Sequence, residues 1–189
     1  MTDGRKTNYY HVNAELRYAK VFYDNRDMGR PGTDVDYTDI DGQYQVEVII
    51  DQTTKDEMIE QGIPEVSMGY PQFKKEGEDR FSYRLKRPHK SKSLKENDGS
   101  AVVFGPPVVF DYNKALDAMK ANPGTKMGDH IVPWDMKTDG LIGNGSKAYV
   151  TYTVYKNGKK RIIKLEKIGI YEHVKYEGQA PADGDMVMF

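Results

Sequence analysis

The sequence contains no cysteine, which excludes disulfides, iron–sulfur clusters and thiolate zinc sites. Histidine is scarce. His11, His89, His130 and His173 are scattered, none stands four residues from another, and a histidine-based metal site is not indicated. Nowhere does an apolar run approach the ~18 residues of a membrane-spanning helix, and mean hydropathy is −0.76. Behind the amino-terminal Met1-Thr-Asp-Gly-Arg-Lys6 there is no apolar stretch, so neither a signal peptide nor a membrane partner is expected. The 189 residues suit about one domain, long enough to bury a core without staples.

Net charge is −1, and this near-neutral value hides a strong asymmetry. Asp24 to Glu65 carries twelve acids against Arg26, Arg30 and Lys55. Arg84, Lys86, Arg87, Lys90, Lys92 and Lys95 follow with no acid among them. Lys147 to Lys167 holds seven bases against Glu166 alone. Two basic blocks in a neutral chain point to a polyanion bound through one face; the plainer alternative is two solvated strand surfaces.

Strand patterns dominate. Leu16–Tyr23, Gln43–Ile50 and Arg80–Lys86 alternate polar with apolar residues, and Lys147–Tyr155 is β-branched and aromatic. The last run reaches Asn157-Gly158, a hairpin-turn pair, and its partner is Arg161–Tyr171, which predicts one long hairpin over Lys147–Tyr176. Helices are predicted over Thr53–Gly62, with Thr53 as N-cap and Gly62 as stop, and over Asn113–Lys120. Asp27–Asp41, Lys90–Pro107 and Asn122–Gly140 read as loops. This inventory predicts a mostly β protein, an OB-fold five-stranded barrel with one or two inserted short helices and long loops.

Asp34–Gly42 is acidic, but its spacing is not that of a calcium loop, and a solvated acidic loop is the plainer reading. Gly140-Leu-Ile-Gly143-Asn-Gly145-Ser146-Lys147 has a phosphate-loop look but leads into a strand, so its glycines suit a barrel corner or bulge better. No Ser/His/Asp spacing argues for nucleophilic catalysis. Tyrosine is abundant, 14 against 6 Phe and one Trp, and Tyr18, Tyr23, Tyr83, Tyr149, Tyr152 and Tyr155 lie on strands that also carry Lys or Arg. Basic grooves with stacking rings hold single-stranded nucleic acid; taken singly, each Tyr could equally pack with its hydroxyl at the surface.

Four stretches resemble the T7-like single-stranded DNA-binding proteins of lytic tailed phages. Asn25–Gly32 with Gly42–Ile50, Val108–Asp111, Leu141–Tyr155 and Ile163–Val174 are similar to that family's amino-terminal loop and strand, its central strand, its I-G-x-G-S-K segment and its closing strand. Together they span most of Val12–Tyr176. The resemblance implies an OB-fold domain over 1–177 and a tail over 178–189. It implies a sequence-independent protein that coats and protects single-stranded DNA in phage replication and recombination in the host cytoplasm, with no catalysis and no cofactor. It further implies a tail contact with a phage DNA polymerase or helicase-primase through Asp183, Asp185 and Phe189; a homodimer is compatible with it. Phosphate contact is assigned to Arg80, Arg84, Lys86, Lys147, Lys159 and Arg161, and base stacking to Tyr83, Tyr149 and Tyr152. On Arg80–Lys86 rings and charges fall on opposite faces, so Tyr83 and Arg84 share a ligand only if the strand twists or bulges. The rival readings are a barrel subunit of a replication or nuclease complex and a virion structural protein.

Overall fold

Residues that alternate every second position can bury one face and wet the other, and five such strands organise this chain. The computed structural model describes residues 7–176. In chain order the elements are β1 (Asn8–Lys20), β2 (Gln43–Ile50), α1 (Gln52–Glu60), β3 (Val66–Ser67), β4 (Tyr70–Pro71), β5 (Lys74–Gly77), β6 (Arg80–Pro88), β7 (Lys90–Lys95), β8 (Ala101–Val103), β9 (Val108–Asp111), α2 (Tyr112–Ala121), α3 (Met136–Asp139), β10 (Lys147–Asn157) and β11 (Lys160–Glu172). The main sheet runs β5-β6-β2-β1-β10-β11-β9. Its pairs are antiparallel except β11 with β9, which is parallel.

The five long strands, in the order β6-β2-β1-β10-β11, form the barrel part. Their ladder is not closed by backbone hydrogen bonds between β6 and β11. Arg87 bridges that gap. From β6 its Nη1 donates to the Leu165 carbonyl at 3.2 Å and to Glu166 Oε2 at 2.8 Å on β11. Its Nη2 and Nε donate to the carbonyls of Phe104 and Gly105, each at 2.8 Å. The core lies inside this curve and holds Leu16, Val46, Val48, Leu85, Val150, Leu165 and Ile168, all fully buried. Met58 of α1 and Ile63 just after it join the same cluster.

Several boundaries differ from the sequence expectation. β1 begins at Asn8 because Tyr10, Val12 and Ala14 continue the inward alternation against Tyr152, Val150 and Ala148. Helix α1 is capped by Asp51, not Thr53. Asp51 has the extended backbone a cap requires, and its carboxylate accepts from the Thr54 amide at 2.8 Å. The β10–β11 turn falls one residue late: Asn157 pairs with Lys160, so Gly158 and Lys159 form the connection. Gly158, at φ 59°, takes the first central position, where a two-residue turn favours glycine. The stretch 90–107 contains the β7–β8 hairpin, which is mostly exposed and so carries no apolar alternation to read.

The glycine-rich segment before β10 clamps β1 and is not a phosphate loop. Gly143 donates its amide to the Val174 carbonyl at 2.7 Å, and a Cβ there would stand 2.6 Å from the same oxygen. Ser146 Oγ donates to the Gly143 carbonyl at 2.8 Å and accepts from the Val174 amide at 3.0 Å. The Leu16 amide donates to the Ser146 carbonyl at 2.7 Å.

His89, after β6, is buried, with Nδ1 2.6 Å from the Tyr44 hydroxyl. Burial holds its imidazole below the ordinary histidine value, and the nearby Asp41 carboxylate opposes this. Below pH 6.5 an unfolded histidine takes up a proton that native His89 resists, so stability falls as pH falls through that value. Asp41 is held low chiefly by Arg26, and its contribution fades only at carboxylate pH. The urea midpoint is therefore expected to be lower at pH 5 than at pH 7.5. His89→Gln should flatten the dependence; an unchanged slope in that variant contradicts the assignment.

Candidate nucleic-acid interface

All eight residues of β2 are buried, on both faces. Inward these are Tyr44, Val46, Val48 and Ile50; outward they are Gln43, Gln45, Glu47 and Ile49. A polar row buried on the outside of a barrel needs cover, and the cover comes from long side chains on the two neighbouring strands. Direct register places Arg17 of β1, Glu47 of β2 and Arg84 of β6 in one row across the sheet, and Lys20, Gln45 and Lys86 in the next.

The first row is nearly neutralised. Arg17 Nη2 donates to Glu47 Oε1 at 2.7 Å and to Glu76 Oε1 at 2.9 Å. These partners raise the guanidinium's pKa, and Arg17 in turn, with Ser82, holds Glu76 below the usual carboxylate range. Arg84 reaches Glu47 only at 3.9 Å and is exposed. Arg17 Nε is buried without a hydrogen-bond partner.

The second row contains no acid. Gln43 Nε2 donates to Gln45 Oε1 at 3.3 Å, and Gln45 Nε2 to Asp27 Oδ2 at 3.2 Å. Lys20 meets the same Asp27 carboxylate at 3.5 Å. Lys86 has no ion pair among the described residues. Partial desolvation first, and the Arg84 charge second, hold its ammonium below the ordinary lysine value. Arg84 and Lys86, two residues apart on one face, are therefore adjacent cations with little acid to offset them, and an anion laid across them relieves their mutual repulsion.

The structure separates the residues chosen from sequence. Arg84 and Lys86 belong to the strip just described. Arg80 pairs with Glu15 at 3.1 Å, and Lys147 with Glu172 at 3.1 Å, which raises the Lys147 pKa. Both lie at one end of the same outer face. Tyr149 is partly exposed there, its ring 4.6 Å from that of Tyr112 and 5.1 Å from that of Tyr171. Tyr83 and Tyr152 are not surface rings. Tyr83 packs on Phe73 with centroids 4.9 Å apart, and burial pushes its hydroxyl pKa up to about 12. Tyr152 is fully buried, donates its hydroxyl to Gln61, and is raised by the same cause. The alternation put both on the core side of their strands, beside Leu85 and Val150.

Lys159 and Arg161 are exposed at the far end of the β10–β11 hairpin. Arg161 pairs with Lys156, nine residues up β10 from Lys147, which at ~3.3 Å per residue is roughly 30 Å. The second basic block is thus split, with Lys147 beside the outer face of β6 and β1 and Lys159 with Arg161 at the hairpin tip. Of the first block, Arg87 closes the barrel. Arg17, Lys20, Gln43 and Gln45 escaped the sequence reading because only the β1–β2 register brings them beside Arg84 and Lys86. Asp183, Asp185 and Phe189 lie outside the described residues.

Five strands in this order with a helix before β10 define an OB-fold. No protein-family model and no curated protein matches the chain. Among solved structures the fold is shared with gp2.5, a single-stranded DNA-binding protein encoded by bacteriophage T7, with a TM-score of 0.52 at 18% identity over 97% of this chain and 96% of that one. Weaker likeness, TM-score 0.42, is found to the C-terminally truncated single-stranded DNA-binding protein from bacteriophage Enc34 (11% identity, 88% and 87% covered) and to the same protein in complex with single-stranded DNA (12%, 90% and 89%). Among the described residues no helix is long and apolar enough to cross a membrane, and no cluster of three or more His, Asp or Glu side chains could hold a metal ion.

Proposed function

We propose that this protein binds single-stranded DNA without sequence preference and coats it during phage DNA replication and recombination. The observation that carries this reading is the cationic strip on the outer face of β1, β2 and β6, where Arg84 and Lys86 stand beside the neutral amides of Gln43 and Gln45. Such a strip can neutralise backbone phosphates and has no base-specific donor pattern. The shared fold with gp2.5, itself a single-stranded DNA-binding protein, supports the reading. Arg84 and Lys86 are the leading phosphate contacts, with Lys20 beside them. Arg80, Lys147 and Tyr149 extend the face beyond, and Lys159 with Arg161 form a second basic patch at the hairpin tip. No catalytic step belongs to this function. A domain over 1–177 does the binding, and the tail over 178–189, through Asp183, Asp185 and Phe189, contacts replication partners such as a phage polymerase or helicase-primase.

Anisotropy of labelled oligo-dT against a duplex of equal length tests this. Tighter binding to oligo-dT is expected, with log K falling against log salt by about 0.7 per neutralised phosphate. For ~3–5 contacts the slope is about −2 to −3.5. A flat salt response points instead to a structural protein, and tighter duplex binding overturns the reading.

A further inference from the structure

Tyr18 sits at the bulge of β1, between Arg17 and Lys20, with φ 51°. An aromatic residue in the left-handed region is strained and persists only when its surroundings enforce it. Here they do: the Tyr18 amide donates to Asn144 Oδ1 at 2.9 Å, from the glycine-rich segment that clamps the strand. The result is a ring that is 59% exposed, with the Arg17 guanidinium 5.5 Å from its centroid. An inward-facing ring would need neither the strain nor the clamp.

Beside that ring lies a cavity of about 420 Å³, within the usual size range of small-molecule pockets. Tyr18 and Tyr176 line it together with Ile142, and Asn25, Asn144 and Lys20 supply its polar groups. Each asparagine has its side-chain oxygen engaged by backbone, Asn144 by the Tyr18 amide and Asn25 by the Phe22 amide at 2.9 Å. Among the described residues neither Nδ2 donates a hydrogen bond, so the cavity offers two amide donors between apolar walls. Lys20 belongs to the row that continues through Gln45 to Lys86.

We propose that this cavity receives one nucleobase of the bound single strand: the base stacks on Tyr18, its carbonyl or ring-nitrogen acceptors meet the amides of Asn25 and Asn144, and its phosphate lies toward Lys20. A single strand is the occupant because Lys20 at the mouth stands in the row that leads through Gln45 to Lys86 of the phosphate strip, and because only an unpaired base can leave its stack cheaply. This inference rests on the single-strand reading above and adds to it a defined place where a base is held.

The test uses the full chain, oligo-dT, and an abasic oligomer of the same backbone. Tyr18→Gly removes the ring and the backbone strain together. It should melt higher than the wild type yet bind oligo-dT at least fivefold more weakly, as loss of one stacked base at ~1–3 kcal/mol requires. Tyr18→Phe should bind oligo-dT as the wild type does. Neither substitution should change affinity for the abasic oligomer. Undiminished oligo-dT binding by Tyr18→Gly overturns the base pocket while wild-type binding still upholds the single-strand reading. An equal loss on the abasic oligomer also overturns it. Tighter oligo-dT binding by Tyr18→Gly overturns it likewise, because the ring would then oppose the strand. If the wild type binds no oligo-dT, the broader reading fails and takes this one with it.

Discussion

Arg87→Ala is expected to destabilise the protein by about 3 kcal/mol, the lower end of the cost of removing one partner from a buried ion pair, because this pair is partly buried. In the sequence Arg87 is one cation among six. In the fold its side chain is almost wholly covered and links β6 to β11 and to the loop at Phe104 and Gly105. Alanine would leave three carbonyls without this donor. It would also leave Glu166 Oε2 without its partner, while Oε1 keeps Lys164 at 3.4 Å and the Thr153 hydroxyl at 3.0 Å. Arg87→Lys should recover only part of the loss, because a single ammonium cannot reproduce the fork of N–H donors. Chemical denaturation of the three proteins reads this directly. A stability change under 1 kcal/mol in Arg87→Ala would mean that the β6–β11 gap is held by something else.

The second large effect is on binding. Arg84→Ala combined with Lys86→Ala should weaken oligo-dT binding roughly five- to thirtyfold, since two exposed charge contacts are worth about 1–2 kcal/mol together. The loss should be the same for all base compositions, and the salt slope should become shallower by about 1.4. Stability should hardly change, because both side chains are exposed and Glu47 keeps its closer partner, Arg17. The matched control is Lys159→Ala with Arg161→Ala at the hairpin tip, expected to cost less than about threefold. If the control loses more than the strip variant, the strand runs along the hairpin and not across β2.

Much of this architecture was legible in residue order. The alternation of Gln43–Ile50 and Arg80–Lys86 is the alternation of the sheet, because period two admits one core face only. It also carried a warning: Phe81, Tyr83 and Leu85 share a face that Arg84 and Lys86 do not. Tyr152 carried the same warning, since it shares its face with Ala148, Val150 and Val154, whereas Tyr149 shares its face with Lys147, Thr151 and Thr153. Lys90–Lys95 could not be read as a strand because it buries little. What no local pattern contains is register. That Arg17 and Lys20 flank Glu47 and Gln45 follows from pairings between residues 25 to 30 apart in the chain, whereas the separation of Lys147 from Arg161 was already implicit in the predicted hairpin. The strain at Tyr18 is equally non-local, being imposed by Asn144 from the other end of the sequence.

The most direct test of the central claim is backbone amide shift mapping of the labelled protein as oligo-dT is added. The largest perturbations are expected in the outward residues of β1, β2 and β6, at 17–20, 43–47 and 82–86, with the turn at 158–159 close to unmoved. Perturbations confined to that turn, or none on adding saturating oligo-dT, would contradict the account.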